Sequence, residues 1–152
     1  MIRPKLEYAA VVWSPHKKKD KRKIERIQRI ATKMVPELSD LTYEERLKEM
    51  GLPTLEERRE RGDLITIYKI VNQQERMDGR NLVTMATGKS RQTRGHSRKI
   101  IKEQCLRDVK KHSFPYRAVD AWNALSEEVV SAANVHIFKD KLDKLRDGDR
   151  TV

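Results

Sequence analysis

A single cysteine, Cys105, among 152 residues excludes an internal disulfide and any multi-cysteine zinc site. It fits a reducing, intracellular compartment, nucleus or cytoplasm. No stretch approaches the ~18 apolar residues needed to cross a bilayer, and the first apolar run, Ala9 to Trp13, is too short for a signal peptide. Aromatics make up only 5% of the chain, and runs of Val, Ile, Tyr and Thr are scarce, which disfavours a sheet. His16, His96, His112 and His136 are dispersed, with no cysteine pair and no second ligand at metal-binding spacing. Gly79, Gly88 and Gly95 do not form a phosphate-cradling loop before a helix, and no serine stands in a nucleophile elbow. Asp140 and Asp143 read as solvated charges beside Lys139 and Lys144 rather than as metal ligands. The chain alone is therefore expected to carry no catalytic residue, no metal and no cofactor, and not to be an enzyme.

Charge is what the sequence has in excess. Charged residues are 38%, against a typical ~25%, and apolar residues 37%. A chain of this length can bury roughly 70% of its unfolded surface, so a core is attainable but thin, and built from amphipathic helices. The net charge of +11 and a pI near 9.9 point to a polyanionic partner, nucleic acid before membrane. No segment has the Trp/Phe/Leu insertion face that a membrane surface requires. Two clusters stand out. Between Lys17 and Lys33 there are nine Lys or Arg against two acids, Asp20 and Glu25. From Lys89 to Arg117 there are ten against Glu103 and Asp108. Candidate phosphate contacts are Lys17, Lys18, Lys19, Lys21, Arg22, Arg26 and Arg29 in the first cluster. In the second they are Lys89, Arg91, Arg94, Arg98 and Lys99, with the Ser90, Thr93 and Ser97 hydroxyls nearby. Tyr8, Trp13, Tyr116 and Trp122 could stack on bases, but both tryptophans lie on apolar helical stripes and are expected in the core.

Helix signals punctuate the chain. Asp20 is expected to cap a basic helix over residues 20–35, with Ile24, Ile27, Ile30, Ala31 and Met34 inward and Pro36 ending it. Thr42 with Glu45, and Thr54 with Glu57, have capping-box spacing. The first starts a short helix with Leu47 and Met50 inward, stopped at Gly51. The second starts the longest helix, reaching Asn72, with an apolar face of Leu55, Ile65, Tyr68 and Val71 widened by Leu64 and Ile67. Gly62 costs this helix ~1 kcal/mol relative to Ala, which implies a close crossing by a neighbouring helix. Residues 86–97 read as an exposed, mobile basic loop, and Lys99 to Val109 fits a strand, a helix or neither. Order returns at Phe114-Pro115-Tyr116, with a helix through Val119, Trp122 and Leu125. Asn134 then caps a final helix with Ile137, Phe138, Leu142 and Leu145 inward, and a polar tail runs from 147. The expected fold is all-α, about five or six helices in a small bundle with one long basic loop. Its expected organisation is a helical subdomain over 1–75, a basic insertion over 76–113 and C-terminal helices over 114–152.

The tract RPKLEYAAVVWSP (Arg3–Pro15), with a basic helix ending RIATKMVP (Arg29–Pro36), resembles the region after the polymerase core of non-LTR (LINE-type, jockey-like) retrotransposon reverse transcriptases. LTYEERLKEMGLPTLEERRERGDLITIYKI (Leu41–Ile70) is similar to that family's "SYEERL…L.L.TLE.RR.RGDLI..YKI" block. TRGHS (Thr93–Ser97) resembles its "TRGHS.K" segment, and Phe114–Lys144 its "F..R.V..WN.LP..VV.A.S...FK..LD" tail. The blocks are collinear over roughly residues 2 to 145, nearly the whole chain.

The resemblance implies a helical thumb or post-thumb region that helps hold the RNA template and the primer-template duplex. The palm aspartates that bind catalytic metals are absent, as are an endonuclease segment and a Cys/His knuckle, and Ser126 stands where the family commonly has Pro. The chain thus reads as a detached C-terminal portion, without RNA-directed DNA polymerase activity of its own. The expected function is a non-catalytic module binding the phosphate backbone of RNA or an RNA–DNA hybrid. The alternative is a protein–protein interaction or oligomerisation module from a truncated element. There the apolar residues 6–13 would meet a second copy, a host protein or the missing polymerase core.

Overall fold

The structure, a computed structural model, describes residues 7–74, 82–86 and 95–149. It is all-α. Among the described residues there is no strand, only an isolated antiparallel bridge between Met85 and Ile100. The chain divides into two compact units, Met1–Gly62 and Asp63–Val152, and the division falls inside one helix.

The first unit holds α1 (Lys18–Lys33), a 3-10 turn (Pro36–Leu38), α2 (Tyr43–Glu49) and the first part of α3 (Leu55–Val71). Both capping boxes form. The Thr42 N–H donates to Glu45 Oε2 at 2.8 Å, and the Glu45 N–H donates back to Thr42 Oγ1 at 3.3 Å. Hydrogen bonds from the Thr42 hydroxyl and backbone hold the Glu45 carboxyl below the usual carboxylate range. Thr54 and Glu57 repeat the arrangement at 2.8 and 3.2 Å. Each box satisfies two amides that the first turn leaves free. Gly51 ends α2 at φ +59°, a left-handed conformation that costs glycine little. Leu47 is buried beneath α2, but Met50 is 38% exposed, because it falls at the C-cap as the chain turns away.

Three further expectations fail in α1 and α3. Asp20 does not cap α1: Lys17 occupies the N-cap with no side-chain bond, and Asp20 lies in the first turn, where a carboxylate complements the helix dipole. The inner face of α1 is not the isoleucine stripe. Gln28 and Thr32 are the buried residues, whereas Ile27, Ile30 and Met34 are 38%, 55% and 76% exposed. Gly62 meets no close crossing, since a Cβ there would have nothing within 4 Å.

The second unit continues α3 and adds α4 (Asp108–His112), a 3-10 turn (Tyr116–Ala118), α5 (Val119–Asn123), α6 (Glu127–Val130) and α7 (Val135–Asp149). The Phe114–Pro115 peptide bond is cis. Leu64, Ile67 and Tyr68 of α3 join Trp122, Val130, Phe138 and Leu142 in an apolar core. Tyr68 stacks on Phe138 at 4.3 Å between ring centroids, and its hydroxyl donates to the Ala132 carbonyl at 2.6 Å. Asn134 caps α7 through Oδ1, which accepts from the Ile137 N–H at 2.9 Å. Phe138 and Leu142 face inward, while Ile137 and Leu145 are 38% and 40% exposed, so the buried stripe of α7 is narrower than its sequence suggests. The helix runs to Asp149, past residue 147, where a polar tail was expected to begin.

Candidate nucleic-acid interface

A polar seam orients α1. Gln28 Nε2 donates to the Pro53 carbonyl at 3.0 Å and to the Tyr43 hydroxyl at 3.2 Å. Glu25 accepts from the Leu55 N–H at 3.1 Å and from the Tyr43 hydroxyl. Burial, reinforced by the hydrogen bond to Glu25 and its charge, raises the Tyr43 phenol well above its ordinary range, so it stays a donor. Arg46, only 5% exposed, donates from Nε to Thr32 Oγ1 at 3.3 Å and from its guanidinium to the Leu41 carbonyl. These bonds turn the Gln28–Thr32 side of α1 inward, which places its cations and its isoleucines outside.

The first cluster is therefore mostly available. Lys17, Lys18, Lys19, Arg22 and Arg26 are exposed and make no ion pair among the described residues. Lys21 instead pairs with Glu56, and the Arg29 guanidinium lies 4.7 Å over the Tyr43 ring. Three of the five free cations crowd the N-terminal end of α1, where the helix dipole already presents positive charge. An anion bound there would relieve the repulsion.

Of the second cluster, Lys89, Arg91 and Arg94 lie outside the described residues, as do Ser90, Thr93 and most of the expected 86–97 loop. The described end of that segment is not a free loop. His96 is buried, its Nε2 2.9 Å from the Trp122 carbonyl, while its Nδ1 accepts from the Arg98 N–H at 3.2 Å. The second bond makes Nδ1 an acceptor, so Nε2 carries the proton in the neutral ring. Trp122 Nε1 donates to the Arg98 carbonyl at 2.8 Å. The Asn123 amide donates to the Ile100 carbonyl and accepts from its N–H, both at 2.9 Å, as a neighbouring strand would. Ser97 donates from N and Oγ to Glu127 at 2.6 and 2.9 Å, and these bonds lower the Glu127 carboxyl below its usual range.

Arg98 is half-buried with its guanidinium on Asn72 Oδ1, and Lys99 is half-buried too. At Gly95, φ +129°, a Cβ would come within 2.5 Å of the Lys99 side chain. Sequence counting could not separate Arg98 from a free cation, because its partner lies 26 residues away.

Trp122 is fully buried, as expected, but Trp13 is 43% exposed, with Arg59 5.3 Å from its ring centroid. Tyr8 and Val12 are exposed beside it in sequence. Among its described residues the first unit buries only two large apolar side chains, Leu47 and Leu55, and the short apolar run lies largely at the surface. Cys105 is free, and among the described residues no three His, Cys, Asp or Glu cluster as a metal site. No described helix is long and apolar enough to cross a membrane.

Residues from separate sequence blocks meet in the second unit. Asp63 of RGDLI accepts from Arg117 of FPYR at 2.7 and 2.8 Å, and His96 of TRGHS meets Trp122 of AWN. Comparison with family models, curated proteins and solved structures finds no match to this chain.

Proposed function

We propose that this chain is a non-catalytic, phosphate-binding helical module, akin to the region following the polymerase core of LINE-type reverse transcriptases. Its ligand on this reading is RNA or an RNA–DNA hybrid. The carrying observation is a set of exposed cations at the N-cap and along α1 that make no ion pair among the described residues: Lys17, Lys18, Lys19, Arg22 and Arg26. Residues quoted from different blocks, Asp63 with Arg117 and His96 with Trp122, make polar contacts within one unit, as blocks of one folded module would. Phosphate contacts of this kind position a backbone and carry no sequence information.

The test is a binding titration with a short RNA duplex and an RNA–DNA hybrid between ~50 and ~200 mM salt. Affinity should fall steeply over this range, with a log–log slope of about −0.9 per phosphate neutralised if the duplex behaves as B-DNA does. Changing Lys18, Arg22 and Arg26 together to Ala should weaken binding to every sequence alike and flatten the slope by about two to three. Absence of binding tighter than micromolar at the lower salt would sink the reading. A loss confined to one sequence would contradict the phosphate assignment.

A further inference from the structure

The exposed stripe on α1 is an anomaly with a pattern. Ile27, Ile30 and Met34 are spaced by three and four, the a–d–a spacing of a helix–helix seam, and lie within about 60° of arc at 3.6 residues per turn. Gln28 and Thr32 are buried on a different arc of the helix, so the stripe is left over rather than used. If Ile27 is an a position, the g positions are Arg26 and Lys33, both exposed cations without a described ion pair. The e positions, Ile24 and Ala31, are uncharged.

We infer that this face docks an amphipathic helix of another protein, one carrying an apolar seam flanked by Glu or Asp. Charge selects that occupant over the others. A second copy laid on the same stripe would set Arg26 and Lys33 beside cations of a chain with net charge +11. A membrane surface is a poor match, because the stripe has no aromatic or Leu residue and the Gln28–Thr32 side of the helix is occupied by its own unit. Nucleic acid is answered by the cations of α1 and offers nothing to the three apolar side chains. An acidic seam helix satisfies both features: its apolar residues cover Ile27, Ile30 and Met34, and its flanking carboxylates meet Arg26 and Lys33.

The experiment uses the full chain and a synthetic three-heptad peptide with Leu at a and d and Glu at e and g, whose like charges discourage self-pairing. Fluorescence anisotropy at ~150 mM salt should give saturable one-to-one binding at ~10 µM or tighter, weakened at least ~10-fold by Ile30→Gln with Met34→Gln. Both changed side chains are more than half exposed, so the helical circular dichroism and melting temperature should stay constant. The same peptide with Lys for Glu should not bind. Equal affinity in wild type and the double variant overturns the inference, as does equal binding of the Lys peptide or no binding of the Glu peptide. It is also overturned if light scattering finds a dimer that the double variant dissolves, or if phosphatidylserine vesicles bind through these side chains while the Glu peptide does not. These variants change only apolar contact, and the RNA titration changes only charge, so each reading can fail alone.

Discussion

Removing the Asp63 carboxylate should destabilise the second unit more than any surface change. Asp63 is 4% exposed, and the Arg117 side chain that grips it is 14% exposed. The two bonds, Nε to Oδ2 at 2.7 Å and Nη2 to Oδ1 at 2.8 Å, form a bidentate fork across 54 residues of sequence. Asp63→Ala leaves the guanidinium largely desolvated without this acceptor. Breaking one side of a buried pair costs about 3–5 kcal/mol. At about 2–4 °C per kcal/mol for a chain of this size, the melting temperature should fall by about 6–20 °C.

The assay is thermal unfolding followed by Trp122 fluorescence, in a Trp13→Phe background that leaves one reporter in this unit. Asp63→Leu with Arg117→Met should recover most of the loss, because an apolar replacement of a buried pair is often close to neutral. A loss below about 1 kcal/mol for Asp63→Ala would place the pair in the class of solvated surface bridges and refute the desolvation reasoning.

Gly62→Ala should stabilise the chain by about 0.5–1 kcal/mol, since the helix interior there has room for a Cβ; a destabilisation in the melt would show a hidden close approach. The Ser97–Glu127 contact should be acid-labile. The folded carboxyl is depressed, so its contribution is complete above the ordinary carboxylate range and is lost as pH falls through the lowered folded value. Hydrogen exchange of the Ser97 amide, corrected for intrinsic rates, should lose protection as the pH falls past the ordinary carboxylate range, and Glu127→Gln should make protection pH-independent there.

Local signals were the legible part of the sequence. Thr42 with Glu45, Thr54 with Glu57, and Asn134 each cap the helix they announce, because a cap needs only neighbours three residues away. The dense apolar run of α3 was readable for a similar reason: Leu64, Ile67 and Tyr68 bury whichever partner packs on them. α1 was misread. Its apolar stripe is the stronger periodic signal, yet its inner face is chosen by Pro53, Tyr43 and Arg46, through hydrogen bonds that periodicity does not encode. The site was legible as a charge count but not as a list of free cations. Lys21, Arg29 and Arg98 are engaged by Glu56, Tyr43 and Asn72, all distant in sequence.

Fold and surface chemistry thus fall to different residues. Asp63, His96, Arg117, Trp122, Asn123 and Glu127 all bond internally, and these six side chains need no ligand to account for their polar groups. Lys18, Lys19, Arg22 and Arg26 have no such bond among the described residues. If phosphate binding is the function, the two sets separate under mutation. Changes in the first should lower the melting temperature, and changes in the second should flatten the salt slope with the melt unmoved. A cation whose loss did both would belong to the scaffold. Arg98, half-buried on Asn72, is the named site residue for which that outcome is expected.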